Sequence, residues 1–313
     1  MKPLLLMALL IAATNTASAQ ESKVEFTTFQ LSDTVYMLRG RGGNVGISTG
    51  EDGLYIIDDQ VKQVTGPLLQ AIRKISTQPI RFVINTHYHG DHTGGNEVIG
   101  GAGTVIIAHD NIRKRLTTEQ VSIFMNSTTP PAAHAALPVV TFNDQMSLHL
   151  NGETATAYYV ANGHTDGDAI IHFPVSNVIH MGDMFFNGRY PYVDLDAGGS
   201  VQGMVAAADL ALSMANESTR IIPGHGPLAM AEDLKNYRDF LIEASTNVQA
   251  LIDRDMNLEQ IIAAEPTREW DESLGKTWIT PPQFVTFIYN SLEDIHHYTP
   301  PAKAEAEAEA EEQ

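Results

Sequence analysis

With 313 residues, 43% of them hydrophobic and 18% charged, the chain can bury a large core and is typical of a globular rather than a disordered protein. Its formal charge of −19 disfavours a nuclease or any other nucleic-acid partner, because phosphate contacts need clustered Lys and Arg. The sequence contains no cysteine, which excludes disulfides, thiolate ligands, a cysteine nucleophile and a lipidated N-terminal cysteine, and leaves histidine and carboxylate for metal chemistry.

The N-terminal residues match a secretory signal peptide. Lys2 precedes an apolar run from Leu4 to Ala13, and Ala17-Ser18-Ala19 fits a cleavage site before Gln20. The run is too short for the alternative, a membrane anchor, because a bilayer span needs about 20 apolar residues. We therefore expect residues 1–19 to be removed, which changes the charge from −19 to −20 through the loss of Lys2. The mature protein should be periplasmic or secreted, without stable membrane insertion.

The first half of the remaining chain alternates strand and helix patterns, which indicates an α/β layered fold. Gly-rich turns separate three short strand patterns, at Val35–Leu38, Asn44–Ser48 and Leu54–Asp58. The next patterns predict a helix at Leu68–Ile75, strands at Arg81–Asn85 and Thr104–Ala108, and a helix from Asp110 to about Glu119.

The second half begins with a proline-rich segment, Asn126–Pro138, for which we predict a mobile surface loop or a lid. Turn residues then separate five strand patterns, at Val139–Phe142, Met146–Leu150, Thr154–Val160, Ala169–Phe173 and Val178–Met181. The two halves are therefore alike in kind, since each is rich in strands and then helical.

Helices dominate the C-terminal part. One has an apolar stripe that indicates a face packed on a core rather than a dimer seam, formed by Leu234, Tyr237, Leu241, Ala244, Val248 and Leu251. Another is predicted to begin with a capping box between Thr280 and Gln283. We expect residues 20–299 to form one domain and the Ala-Glu repeats of residues 300–313 to be an acidic, disordered tail.

The segment His87-Tyr88-His89-Gly90-Asp91-His92 follows the strand pattern Arg81–Asn85 directly. His87 and His89 lie two residues apart in an extended loop, so both can face one cation, while Asp91 and His92 can turn toward a second. Gly90 is expected to let the backbone bend so that these closely spaced ligands converge. A lone histidine is usually structural, but this density of imidazole and carboxylate predicts a metal site, with zinc the natural ion.

Additional ligands have to come from other segments, because each zinc needs about four or five donors. Three places qualify, each with one donor beside glycine at a strand end: Gly163-His164-Thr165, Gly182-Asp183 and Pro223-Gly224-His225-Gly226. Loops at strand ends converge on one edge of a layered sheet, where a site can be assembled from distant sequence.

Taken in order, these four motifs resemble those of the metallo-β-lactamase superfamily, from about Val35 to the helix after His225. The resemblance implies a four-layer αββα sandwich, here with extra C-terminal helices, and two Zn²⁺ per chain, with iron or manganese as alternatives. It further implies three sets of ligands: His87, His89 and His164 for the first metal, Asp91, His92 and His225 for the second, and Asp183 as the bridge between them.

A hydroxide shared by two cations is available near neutral pH, because metal binding lowers the pKa of water from about 15.7 to about 7. We expect it to attack a substrate carbonyl, with Asp91 as the catalytic residue that orients it and shuttles its proton. Asp58 ends a strand before the site and either orients a ligand histidine or caps the turn.

The remaining histidines are interpreted as structural or surface residues, since they lack a ligand-spaced partner in the motifs: His109, His134, His149, His172, His180, His296 and His297. The residues after Asp183 are candidates to line the pocket, although packing is favoured for the two phenylalanines: Phe185, Phe186, Asn187, Arg189, Tyr190 and Tyr192.

The superfamily supports many reactions, so the resemblance predicts the reaction type better than the small-molecule substrate. Zinc β-lactamases often have cysteine or serine where this chain has Asp183, which counts against a dedicated β-lactamase. Export argues against a glyoxalase-II-like thioesterase, and no basic patch for glutathione follows Arg220. An exported β-lactamase-like hydrolase with weak or promiscuous lactam cleavage is the leading hypothesis, and a lactonase or esterase is nearly as well supported.

Two further classes are less favoured. A persulfide dioxygenase would use one iron held by two histidines and an aspartate, whereas this chain has the ligands of a second site. A non-catalytic binding protein is disfavoured because an open dinuclear site is suited to hydrolysis. The oligomeric state is left open by the sequence.

Overall fold

The computed structural model of the protein describes residues 24–299. The signal peptide expected at residues 1–19 and the acidic tail expected at residues 300–313 therefore lie outside the described residues. Within the described range, no helix combines the length and apolarity that crossing a bilayer would need.

Fifteen strands occur in the described range. In chain order they are β1 (Thr27–Gln30), β2 (Val35–Arg39), β3 (Val45–Gly50), β4 (Gly53–Ile57), β5 (Ile80–Ile84), β6 (Val105–His109), β7 (Gln120–Ser122), β8 (Ser127–Thr129), β9 (Val140–Phe142), β10 (Gln145–Leu150), β11 (Glu153–Val160), β12 (Asp168–Phe173), β13 (Val178–Phe186), β14 (Arg220–His225) and β15 (Ala229–Met230). Nine α-helices accompany them within the same residues: α1 (Thr65–Ile75), α2 (Gly90–Thr93), α3 (Asn96–Gly101), α4 (Asp110–Leu116), α5 (Val201–Met214), α6 (Ala231–Ile252), α7 (Leu258–Ala263), α8 (Arg268–Leu274) and α9 (Pro281–Leu292).

The strands form two mixed sheets and one separate hairpin. The first sheet has seven strands in the order β1-β2-β3-β4-β5-β6-β9, antiparallel up to β4 and parallel beyond it. The second has six strands in the order β10-β11-β12-β13-β14-β15, in which β13 and β14 pair in parallel. Strands β7 and β8 pair only with each other.

The two sheets pack face to face, and their shared core contains side chains from both. Tyr55 and Ile84 of the first sheet and Ile171 and Phe173 of the second are fully or almost fully buried in it. Burying one such side chain stabilises the fold by about 1.5–3 kcal/mol, so this layer is a main source of stability.

Helices cover both outer faces. Leu68 and Ile72 of α1 pack on the first sheet with Ile99 of α3. Helices α5, α6 and α9 cover the second sheet, where Leu241 and Phe287 are fully buried. The stripe predicted for α6 is confirmed, since all its members except the half-buried Leu251 are buried. The predicted α/β four-layer αββα architecture with extra C-terminal helices is therefore the observed one.

Some predicted boundaries are wrong for local reasons. The helix that begins at Asp110 ends at Leu116 and not near Glu119, because the Gln120 side-chain amide donates to the carbonyl of Arg115 and the chain turns into β7. The segment predicted as a loop from residue 126 contains β8 and a 3₁₀ turn at His134–Ala136. Strands β13 and β14 both extend beyond their apolar runs, and the extensions carry Asp183 and His225.

Candidate metal centre

The His87–His92 segment changes conformation halfway along. It follows β5, and its first half is extended, with φ −62° and ψ 147° at His89. The second half is the one-turn helix α2, which begins at Gly90 and contains Asp91 and His92. This change sends the first two histidines and the Asp91-His92 pair in different directions, as two metal sites require.

The seven predicted ligands gather into two groups. In the first group the ligand atoms of His87, His89, His164 and Asp183 all lie within 4.8 Å of one another. In the second group the same limit holds for Asp91, His92 and His225. His164 lies in the turn between β11 and β12, Asp183 within β13, and His225 at the end of β14, so distant segments meet as predicted.

The carboxylate of Asp183 lies between the two groups. Its Oδ1 is 2.9 Å from Nε2 of His92, and its Oδ2 is 3.3 Å from Nε2 of His225. The same Oδ2 lies 3.7 Å from Nε2 of His164 and 3.9 Å from Nε2 of His87. This position is the one that the resemblance implied for a bridging aspartate.

Two glycines allow the ligands to approach the backbone so closely. A Cβ added at Gly43 would lie 2.1 Å from the His92 ring, and one at Gly224 would lie 2.0 Å from Oδ1 of Asp183. The expectation for Gly90 is wrong, because this residue begins a regular helical turn and a Cβ there would meet nothing within 4 Å.

The hydrogen bonds behind the first group show that its histidines suit a cation. Nδ1 of His164 is 2.9 Å from the carbonyl of Tyr192 and must donate, so its Nε2 carries the lone pair. Nε2 of His89 donates to Asp194 across 2.8 Å, which leaves Nδ1 of His89 facing Nε2 of His164 at 2.9 Å. Two lone pairs at that distance need a cation or a shared proton between them. Nε2 of His87 is buried and has no hydrogen-bond partner, as expected for a ligand atom.

Burial tunes two histidines of the first group, His87 and His164, toward metal binding. It lowers the pKa of His164 to about 4 and holds that of His87 well below its usual range. Both rings are therefore neutral near neutral pH, which is the state that binds a metal.

The histidines of the second group have more carboxylates close to them. Burial lowers the pKa of His225, but the carboxylates of Asp183 and Asp91 outweigh it and raise that pKa to about 9. Burial likewise opposes a positive charge on His92, yet Asp183, Asp91 and Asp58 raise its pKa well above the usual range. The carboxylates thus favour positive charge at this group. That charge can come from protonated histidines or from a bound metal ion.

Asp58 orients His92, one of the predicted ligands. Its Oδ2 accepts from Nδ1 of His92 and from the hydroxyl of Thr86, both at 2.7 Å, and its Oδ1 accepts from the Thr86 backbone N–H at 2.7 Å. The residue is fully buried and adopts a left-handed φ of 62°. Of the two interpretations of Asp58, orientation of a ligand is the one supported by these contacts.

Asp194 has the same role in the first group, and the sequence did not point to it. Its Oδ2 accepts from Nε2 of His89 at 2.8 Å and from the Tyr88 hydroxyl at 2.7 Å. It lies in an irregular segment after β13, outside every motif. The signal that could have singled it out was weak: an aspartate two residues after Tyr192, in a Gly-rich loop.

The other histidines lie outside both groups. His109 donates through Nε2 to the carbonyl of Asn143, accepts at Nδ1 from the N–H of Asn111, and stacks on Tyr159 with 3.9 Å between the ring centroids. His296 pairs with Asp294 at the surface. His180 is fully buried next to the site, and its Nδ1 lies 3.2 Å from the N–H of Gly182. The remaining ones are likewise outside both groups: His134, His149, His172 and His297.

A cleft of about 1030 Å³ opens above the two groups. Asp91, Asp183 and His225 lie on its floor together with His89. Of the candidate lining residues, three do line it: Phe186, Arg189 and Tyr192. The other three do not: Phe185, Asn187 and Tyr190. The Phe186 ring also stacks on the His225 ring, with 5.3 Å between their centroids. Phe186 therefore both lines the cleft and packs against a predicted ligand.

Comparisons with known proteins agree with this geometry. A family model described as the metallo-beta-lactamase superfamily matches residues 34–230. Among solved structures, a metallo-beta-lactamase from Pontibacter korlensis is 18% identical with a TM-score of 0.57, over 69% of this chain and 99% of that one. The stereoselective inverting sec-alkylsulfatase Pisa1 from Pseudomonas sp. is 18% identical with a TM-score of 0.65, over 85% of this chain and 50% of that one. The DIM-1 metallo-beta-lactamase is 19% identical with a TM-score of 0.55, over 71% of this chain and 99% of that one.

At these identities the structural matches concern the fold, and the chain spans half the length of the alkylsulfatase. The family model covers more than half of this chain and includes all seven residues of the two ligand groups. The protein is therefore a metallohydrolase that belongs to the metallo-beta-lactamase superfamily.

Proposed function

We propose that the protein is an exported hydrolase that holds two zinc ions and cleaves a carbonyl substrate, with β-lactamase-like activity that is weak or broad in range. The observation that carries this proposal is the position of Asp183 between two ligand groups on the floor of an open cleft. A structural metal site would be closed, whereas a catalytic one keeps a position open to substrate.

When bound, the two cations would lower the pKa of a water from about 15.7 to about 7 and polarise the substrate carbonyl. His87, His89 and His164 would hold one of them, Asp91, His92 and His225 the other, with Asp183 shared. Asp58 and Asp194 keep His92 and His89 in the required orientation.

Asp91 is the residue best placed to move a proton. Its carboxylate lines the cleft, 3.1 Å from Nε2 of His225 and 3.7 Å from Nε2 of His92. Burial opposes its ionisation, but His92 and His225 outweigh this and lower its pKa to about 2. Asp91 is therefore ionised near neutral pH, and can accept a proton from an attacking water and pass it to the leaving group.

A lactonase or esterase is the second candidate, and Asp183 is the observation that favours it. The chain has aspartate where zinc β-lactamases often have cysteine or serine, and lactonases and thioesterases of this fold have the bridging aspartate. Both candidates use the same residues and differ in the leaving group.

A hydrolysis panel with a metal count tests the proposal. The protein would be loaded with zinc, its metal measured by mass spectrometry, and its activity assayed on nitrocefin, acyl-homoserine lactones, S-lactoylglutathione and aryl esters. We expect two zinc ions per chain and hydrolysis of at least one class. Two bound metals with no hydrolysis in any class would overturn the proposal. One iron per chain with oxygen consumption on a persulfide would support the dioxygenase instead.

Asp91→Asn is the matched variant, since it keeps the size of the side chain and removes its charge. We expect kcat to fall by about 10²–10⁴-fold, the usual contribution of a positioned acid or base. Unchanged hydrolysis with both metals retained would show that Asp91 does not move the proton.

A further inference from the structure

Three large apolar side chains stand exposed at the mouth of the cleft. Val121 and Met125 belong to the β7–β8 hairpin, and Trp278 lies between α8 and α9, with its ring 5.9 Å from that of Phe124 in the hairpin. Their exposed fractions are 60%, 48% and 49%, yet all three line the same cleft as Asp91 and His225. Exposed apolar groups that share one concave surface mark a site for an apolar ligand.

The hairpin that carries two of them is firmly attached, so their exposure does not come from loose packing. The Phe124 ring lies 5.1 Å from Tyr192, 5.2 Å from Phe287 and 5.0 Å from Tyr298. Oδ2 of Asp196 accepts from the N–H of Ile123 at 2.7 Å. The half-buried Phe124 thus anchors the hairpin, while Val121 and Met125 line the cleft.

Val121, Met125 and Trp278, which we call the apolar wall, are more exposed than the metal-facing side chains of the same cleft. The metal-facing carboxylates and imidazoles that line the cleft are only 5–32% exposed, so they lie deeper in it. A substrate whose reacting carbonyl reaches the floor would place the groups attached to that carbonyl against the apolar wall.

We infer that the apolar wall receives the hydrophobic acyl or aryl group of the substrate. The substrate class is then an ester, lactone or lactam that carries an apolar side chain of several carbons. This inference rests on the proposed function and deepens it, since it assigns specificity to residues that no metal contacts.

A series of 4-nitrophenyl esters with growing acyl chains tests the inference, from acetate through butyrate and hexanoate to octanoate. Full burial of one methylene contributes up to about fourfold in an equilibrium or specificity constant. On the zinc-loaded protein we expect kcat/KM to rise about two- to fourfold per methylene until the wall is covered. In Met125→Ser and Trp278→Ala the rise should flatten, so that the ratio of kcat/KM for octanoate to kcat/KM for acetate falls.

Ile123→Ser is the matched control. Ile123 is 47% exposed on the same hairpin, but it does not line the cleft. We expect this variant to keep the dependence on chain length. Equal flattening in Ile123→Ser, or a wild-type kcat/KM that does not depend on chain length, would overturn the inference. So would variants that change the oligomeric state and leave the chain-length dependence intact, since the wall would then be a contact between copies.

A binding experiment separates failure of the inference from failure of the proposed function. The chain has two tryptophans, so in Trp270→Phe the fluorescence reports on Trp278 alone. Linear carboxylates from butanoate to decanoate should bind with a Kd that falls about two- to fourfold per methylene and should shift the Trp278 emission. If no ester is hydrolysed but this dependence is found, the apolar wall stands and the hydrolase proposal fails. If esters are hydrolysed without any dependence on chain length, the proposed hydrolase function is supported and the proposed role of the apolar wall is wrong.

Discussion

Asp58 and Asp194 each bind one metal-facing histidine through the ring nitrogen that points away from its ligand group. Asp58 binds Nδ1 of His92 at 2.7 Å, and Asp194 binds Nε2 of His89 at 2.8 Å. Both carboxylates are buried, so each bond fixes a tautomer and a ring orientation without competition from water. The two aspartates serve different ligand groups, which makes their effects separable.

Replacing either aspartate with asparagine should weaken one site more than the other. We expect Asp58→Asn to lower the affinity of the second group, and Asp194→Asn that of the first, by about 10–100-fold. Zinc titration against a competing chelator measures both. Asp209→Asn is the control, because Asp209 pairs only with the surface residue Arg238 among the described contacts. Equal zinc affinities in all three variants would mean that the hydrogen bonds do not tune the metal sites.

The glycines that the site requires are those packed against the predicted ligands, not Gly90 within the His87–His92 segment. A Cβ at Gly43 or Gly224 would collide with the His92 ring or with Asp183, whereas one at Gly90 meets nothing. We therefore expect Gly43→Ala and Gly224→Ala to lose metal, and Gly90→Ala to keep it and to gain up to about 1 kcal/mol of stability. Metal content and Tm of the three variants check this. Loss of metal in Gly90→Ala would restore a conformational role for that glycine.

At the residue scale the clustering of the predicted ligands could be foreseen from the sequence, but the groups that orient them could not. Five histidines and two aspartates lie in dense or glycine-flanked motifs, so their chemistry is visible in the sequence. Asp194 is a single aspartate in an irregular segment, and it becomes significant only because the fold brings it to His89. The short sequence pattern that predicts a ligand therefore gives no information about the group that orients it.

Helix α5 lies against the turn that carries His164. A Cβ at Gly203 of this helix would lie 1.7 Å from the carbonyl of Asn162, and the N–H of Ser200 donates to the carbonyl of Gly163 at 2.8 Å. The start of α5 thus holds the turn that carries His164 in place. The absence of a side chain at Gly203 is what allows the contact.

Gly203→Ala should displace this turn. We expect a loss of about 1–3 kcal/mol in the free energy of unfolding, typical of overpacking, together with weaker zinc binding at the first group. Gly66→Ala is the matched helical control, because a Cβ there meets nothing within 4 Å. That variant should be neutral or slightly more stable. Chemical denaturation with and without zinc measures both effects, and equal stability of the two variants would contradict the packing argument.

Element types were predicted where periodicity was strong and missed where it was weak. The α6 stripe and the contact of Gln283 with the N–H of Thr280 at the start of α9, at 2.9 Å, appear as predicted. The β7–β8 hairpin was missed because each strand has three residues and its side chains are exposed or half-buried. A strand of three residues has no alternation to detect, although the hairpin carries two residues of the apolar wall, Val121 in β7 and Met125 in the turn.

The four-layer fold followed from the resemblance and from two strand-rich halves, but the pairing of strands did not. The parallel pairs β6–β9 and β13–β14 join segments that are far apart in sequence. Periodicity reports which face of a strand is buried, not which strand lies beside it. The extension of β13 to Phe186 depends on such a pairing, because β14 lies beside it as far as His225.

The charge of the whole molecule should control how anionic substrates arrive. With 19 basic and 38 acidic residues, the protein repels anions at a distance, and bound cations would attract them only close to the two ligand groups. Screening shortens the range of this repulsion from about 30 Å at 0.01 M salt to about 10 Å at 0.1 M. Where encounter limits the rate, kcat/KM for an anionic substrate should therefore rise with salt, by at least about twofold over this range.

A neutral ester of similar size is the control, because its encounter with the protein does not depend on long-range charge. We expect its kcat/KM to stay constant over the same salt range, which isolates the electrostatic part of the effect. Addition of a viscosogen identifies the substrates for which encounter is limiting, since only their kcat/KM then falls. A kcat/KM that falls with salt for the anionic substrate alone would mean that the cations at the cleft, and not the net charge of −19, dominate the approach.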